Sequence, residues 1–246
     1  HVQRCPCGHI NRISYNSCRH RSCPRCSGGR RAKWLEQTAS ELLPCDHVHV
    51  IFTVPAELNV LWRFNRRRFA NLLLKAAKES LLGLLADPKY LGAQPGVISA
   101  LHTWGSNLSI HPHVHCLVSA GGLTGNGDFI QQQRHTLLPA RVLMAVFRGR
   151  MLHLLRLALI SGELKLPPDE RPARISSRLN RLGRIAWNVR VQERYGQGVA
   201  VAGYLARYIS GGPIADRRLV SVSAKRIVFR YRDYRTHSER LQKLEP

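Results

Sequence analysis

The segment SNLSIHPHVHCLVSAGGL (106–123) places three histidines at alternate positions and follows them with an apolar run. Side chains leave a β-strand on opposite faces in turn. On a strand His111, His113 and His115 therefore share one face, Pro112 and Val114 share the other, and Cys116, Leu117 and Val118 carry the strand into a core. Two imidazoles two residues apart on one face can hold a single metal ion. The bland alternative is a His-rich edge strand with no ligand. The third histidine and the Gly121-Gly122 pair closing the strand favour the metal.

The flanking sequence supplies a sheet for this strand. HVHVIFTVP (47–55) is β-branched and apolar, a buried strand ended by Pro55, with His47 and His49 read as strand-start residues. GVISALHT (96–103) reads as a second strand, paired antiparallel with the histidine strand through WGSNLSI. KWLEQTASELL (33–43) has the pattern of an amphipathic helix stopped by Pro44. Residues 56–86 read as helical with Arg66, Arg67 and Arg68 exposed, and residues 139–160 as a helix starting at Pro139. RIAWNVRVQ (184–192) alternates as a strand, GVAVAGYLARYISGG (198–212) predicts a short helix closed by Gly-Gly, and 219–235 predicts a hairpin of two strands. Strands and helices intermix without βαβ repetition, which predicts an α+β fold with a largely antiparallel central sheet flanked by helices.

Charge narrows the partner. Among 246 residues, 38 Lys and Arg face 15 Asp and Glu, a net charge of +23. A polyanion relieves that self-repulsion, with nucleic acid favoured over an anionic membrane. No apolar run reaches the roughly 20 residues of a spanning helix, and at 44% hydrophobic the chain can bury a core. Arg174, Arg178, Arg181 and Arg184 recur at helical spacing, either as a face gripping a DNA backbone or as a solvated helix face.

Five of the seven cysteines fall within residues 5–26. Cys23-Pro-Arg-Cys26 has the spacing of a metal knuckle, and thiolates there suit tetrahedral zinc. Cys18, Cys23 and Cys26 are the expected ligands. Cys7, or Cys5 in its place, is the fourth, with His9 or His20 as substitutes, while Cys45 and Cys116 are expected in the core. Tyr204 and Tyr208 stand one helical turn apart, a spacing that serves aromatic packing or a pair of phenolic nucleophiles.

Taken together, YNSCRHRSCPRC (15–26), HVIFTVP (49–55), LHTWGSNLSIHPHVHCLVSAGGL (101–123) and GYLARYISGGPIADRRL (203–219) resemble the two-tyrosine HUH rolling-circle transposases of bacterial insertion sequences. The resemblance implies a small zinc-binding module (1–45) followed by a HUH-type nuclease domain (46–246). It also implies an N-terminus inside the first module and a C-terminus short of the family's usual end, a piece expected to keep its catalytic centre without being able to transpose. His113 and His115 would bind Mg²⁺ or Mn²⁺. A third ligand comes from His111, which is favoured for sharing their face, or from His102 or Asn107. Tyr204 and Tyr208 would cleave single-stranded transposon ends to a 5′-phosphotyrosine and a free 3′-OH, in a bacterial cytoplasm. The alternatives are a plasmid replication initiator or relaxase of the same chemistry, and a zinc-stabilised nucleic-acid binder without catalysis. If the knuckle holds structural zinc, Cys23→Ser or Cys26→Ser releases the metal and lowers folding stability. Unchanged zinc content by atomic absorption contradicts this reading.

Overall fold

The computed structural model describes residues 2–13, 23–134, 136–196, 202, 203, 205, 206, 214–233 and 236–245. A short hairpin, β1 (Val2–Arg4) and β2 (Ile10–Ile13), precedes α1 (Pro24–Glu41) and β3 (His47–Thr53). A 3-10 turn (Ala56–Leu58) leads into α2 (Asn59–Phe64) and α3 (Arg66–Leu85). Next come the long strands β4 (Gln94–Trp104) and β5 (Ile110–Leu123), then β6 (Phe129–Gln131), α4 (Ala140–Ile160), α5 (Pro172–Leu182) and β7 (Asn188–Tyr195). A meander of β8 (Leu219–Val222), β9 (Ile227–Asp233) and β10 (Ser238–Leu244) follows. The central sheet has the order β4-β5-β3-β7, every pair antiparallel, with β6 added to the end of β5. The architecture is α+β, as the sequence patterns predict.

Alternation gives this sheet two different faces. On one, Val48, Val50, Phe52, Val114, Cys116, Val118 and Ala120 are buried against α3 and α4. Phe147 of α4 anchors the layer, its ring 4.7 Å from that of Phe52 and 5.7 Å from that of Trp187. Ile175, Leu179 and Leu182 dock α5 into the same core. The opposite face has a smaller apolar patch, where Ala100 and Leu117 meet Ala202 and Leu205, with Trp34, Leu35 and Tyr195 at its margin.

Glycine is required where three strands crowd together. A Cβ on Gly122 would run into the Gln94 carbonyl, and one on Gly121 would lie 2.6 Å from the Phe129 ring. These two positions let β5 pair with β4 and β6 at once.

Several elements differ from the sequence expectation. α1 starts at Pro24, nine residues before Lys33, because proline is well tolerated in a first helical turn. The single helical segment expected over 56–86 breaks at Asn65. That side chain accepts from the Lys165 N–H at 2.7 Å and donates to the Lys165 carbonyl at 2.8 Å. The C-terminal hairpin gains a third strand, β10. Ala202, Gly203, Leu205 and Ala206 are helical, while the rest of the expected 198–212 helix lies outside the described residues.

The meander is tied to the β4–β5 turn. Arg218 donates to the Ser106 carbonyl and, at 2.8 Å, to that of Arg230, while Ser106 Oγ donates to the Arg232 carbonyl at 3.1 Å. Among the described residues no helix is long and apolar enough to cross a membrane. Phe147 is fully buried between two aromatic rings, so Phe147→Ala should cost about 3–5 kcal/mol in urea unfolding. A loss below about 1 kcal/mol contradicts its anchoring role.

Candidate metal centre

β5 lies between β4 and β3, and register decides which side chains meet there. His113 pairs with His102 of β4 and with Thr53 of β3, while His115 pairs with Ala100 and Ile51. Directly opposed residues of an antiparallel pair point to the same face. His102, His113 and His115 therefore converge, each offering a ring nitrogen within 4.8 Å of the others. The ring centroids lie 4.1 Å apart for His102 and His115, and 4.9 Å apart for His113 with either neighbour.

Hydrogen bonds orient two of these rings. Nδ1 of His113 lies 2.6 Å from the His111 carbonyl oxygen. A carbonyl can only accept, so Nδ1 carries the proton and Nε2 keeps its lone pair. Nδ1 of His115 lies 2.8 Å from Nε2 of His49, a buried residue of β3. Burial pushes all three convergent histidines below the ordinary imidazole range, with neighbouring imidazoles adding to the effect. His102 falls to about 3, His113 to about 4 and His115 to about 2. At neutral pH the cluster is uncharged, the form in which imidazole binds metal. Three neutral nitrogens at this spacing fit a divalent transition ion and leave its other positions to oxygen donors such as water or phosphate. Mn²⁺ matches that donor set better than Mg²⁺, which prefers oxygen throughout.

The register groups a different third histidine with His113 and His115 from the one favoured in sequence. His111 shares the face, its centroid 5.0 Å from that of His113, but its ring is outside the convergent group, and its carbonyl serves as the acceptor for His113. His102 is the third ring of that group. Asn107 is spent on the turn, where its Oδ1 accepts from Ser109 N–H at 3.1 Å and Ser109 Oγ–H at 2.7 Å. His49, read from sequence as a strand-start residue, contacts the cluster directly. Regular pairing back from the 105–109 turn would set His102 opposite Pro112, and an irregularity between His102 and Trp104 brings it opposite His113 instead.

Tyr204 and Tyr208 lie outside the described residues. Ala202 and Leu205, close by in sequence, are buried against Ala100 and Leu117 on the histidine-bearing face. Cys18 also lies outside the described residues. Cys23 is half-buried just before α1, and Cys26 falls in the first turn of that helix. Cys5 and Cys7 are joined by a disulfide. A disulfide sulfur is no thiolate, so either residue can meet zinc only when the pair is reduced. Cys45 and Cys116 are buried, as expected. Of the arginine set, Arg174 and Arg181 are exposed on α5, and Arg184 is exposed just beyond it. Arg178 departs from expectation. Its guanidinium is half-buried and lies 2.5 Å from Glu170, which already neutralises it.

The neutral cluster makes stability depend on pH. Below about pH 6.5 the unfolded chain binds protons at these histidines while the native state refuses them until about pH 4 and lower. The metal-free protein should therefore lose thermal stability steadily from about pH 7 to about pH 5. A His102→Asn variant should show a shallower loss. A flat profile in the unmodified chain contradicts burial of neutral imidazoles.

Comparison with known proteins gives this geometry a family. Residues 96–246, more than half of the chain, match the family model described as "Putative transposase", and residues 1–54 match a "Transposase zinc-binding domain". "Putative transposase y4qJ" of Sinorhizobium fredii (strain NBRC 101917 / NGR234) is 38% identical over 98% of this chain and 61% of its own length. "Transposase for insertion sequence element IS801" of Pseudomonas savastanoi pv. phaseolicola is 30% identical over 94% of this chain and 55% of its own. The chain thus spans between 55% and 61% of the length of these relatives. Among solved structures, that of TrwC complexed with a 27-mer DNA is similar over 68% of this chain and 75% of that one, with 13% identity and a TM-score of 0.36, a likeness too slight to bear on function. Matched by both models in the order that its motifs predict, the chain belongs to the IS91 family of HUH transposases.

Proposed function

We propose that this chain is the cleaving and rejoining part of a rolling-circle transposase, acting on single-stranded DNA at transposon ends. One observation carries the reading: buried Ala202 and Leu205, which flank Tyr204, rest against the strands that carry the convergent histidines. On this reading a phenol from that segment is the nucleophile. The oxygen of Tyr204 or Tyr208 attacks the scissile phosphorus as the bond to the 3′ oxygen breaks. The phenolic proton leaves to solvent and the departing oxygen takes one up. The products are a 5′-phosphotyrosine and a free 3′-OH, and the covalent link conserves the energy needed for later rejoining. A divalent ion held by His102, His113 and His115 would supply polarisation of the phosphate.

The chain's remaining groups serve binding. The charge of +23 draws a polyanion, and Arg174, Arg181 and Arg184 are available for phosphate contacts, whereas Arg178 is held by Glu170. The zinc-binding region is stabilised by Zn²⁺ on Cys18, Cys23 and Cys26, with a fourth ligand from the reduced Cys5/Cys7 pair.

Incubating the protein with a single-stranded oligonucleotide carrying a transposon end and Mn²⁺ or Mg²⁺ should give a covalent adduct on a denaturing gel. His113→Ala or His115→Ala should abolish the adduct while changing DNA affinity less than about tenfold, since phosphate contacts dominate binding. The double substitution Tyr204→Phe, Tyr208→Phe should also abolish it. No adduct with any divalent ion favours a non-catalytic nucleic-acid binder, and an adduct surviving the double substitution removes both tyrosines as nucleophiles.

A further inference from the structure

We infer that His49 is a positioning residue for the metal centre, setting the tautomer in which His115 presents Nε2 as a ligand. The inference rests on the metal reading above and extends it to a residue outside the convergent group. His49 sits within β3, 5% exposed, on the face shared with His115. Its Nε2 lies 2.8 Å from His115 Nδ1, and the two rings are inclined by only 20° with centroids 5.0 Å apart.

Two arrangements of the proton in that bond are possible, with opposite consequences. If His49 Nε2–H donates to His115 Nδ1, the neutral His115 ring carries its own proton on Nε2 and cannot bind a cation there. If His115 Nδ1–H donates and His49 Nε2 accepts, His115 Nε2 carries a lone pair that can bind the ion, and His49 carries its proton on Nδ1. Only the second arrangement supports the metal centre. A metal-binding imidazole usually donates its other N–H to an acceptor that fixes the ring and raises its basicity. For His113 that acceptor is the backbone carbonyl of His111, which no side-chain substitution removes. For His115 it is a side chain, so His49 is where the centre can be weakened without altering any of its three convergent rings. Burying a polar ring in a strand is costly unless it is bonded, and this role gives His49 its reason to be there.

The test uses the full chain and Mn²⁺ alone, with affinity read by calorimetric titration. His49→Phe fills the space but removes the acceptor and should weaken Mn²⁺ binding about 10- to 100-fold, whereas His49→Gln, which can still accept, should recover most of the affinity. Zinc content, circular dichroism and oligonucleotide affinity should stay as in the unmodified chain. If His49→Phe binds Mn²⁺ normally while His113→Ala does not, the His49 assignment fails and the metal centre stands. If Gln is as damaging as Phe, the residue acts through shape and the assignment also fails. If the unmodified chain binds no Mn²⁺, the metal reading falls and takes this inference with it. Nitrogen-15 spectra of the imidazoles decide independently of how the variants fold. His115 protonated on Nδ1 supports the assignment, and His115 protonated on Nε2 overturns it.

Discussion

The pairing of β5 with both β3 and β4 is the constraint on which the rest of this molecule depends. It fixes two faces at once. Val114, Cys116, Val118 and Ala120 are fully buried in the helix-covered core, so a slip of one residue would bring in the other face, with His111, His113 and His115 on it. Putting three uncharged but polar rings among Phe69, Leu73 and Phe147 would cost several kcal/mol in lost hydrogen bonds alone. The dry face thus holds the wet one in register, and cluster geometry is paid for by ordinary apolar packing. The glycine pair at the end of β5 protects the same register by letting three strands close together.

Electrostatics favour the same outcome. The cluster stays uncharged because burial resists protonation and each imidazole would repel the next. A cation held by neutral donors keeps its whole charge for an anionic substrate. Around it lies a protein of net charge +23, some of whose few carboxylates are engaged in local pairs such as Arg178 with Glu170 and Arg240 with Asp233. On the proposed reading, attraction at long range and polarisation at short range would act on the same kind of ligand, a phosphodiester.

Much of this was legible in the order of residues, because the decisive signal is a period of two. β3, β4, β5 and the faces they present follow from alternation, and α4 from its apolar spacing. What was not legible depends on contacts between distant residues. The break at Asn65 reflects its two bonds to Lys165, a hundred positions away. The choice of His102 over His111 depends on hairpin register, which face-sharing alone leaves open. β10, SERLQKL, lacks the apolar alternation of the other strands because most of it faces solvent, and is found only through its pairing with β9. Arg178 looked equivalent to its neighbours on α5 until Glu170, eight residues earlier, was seen to hold it.

One contact outside the sheet ties distant parts together. Arg218 and Ser106 bind the C-terminal meander to the tip of the hairpin whose two legs carry His102 and His113, with the Arg218 guanidinium also resting 5.3 Å from the Phe229 ring. A load borne by the meander is therefore borne by the hairpin tip as well. The molecule has a mechanical joint there, and whatever pulls on its basic final strands also pulls, through four or so residues of turn, on the rings that define its centre.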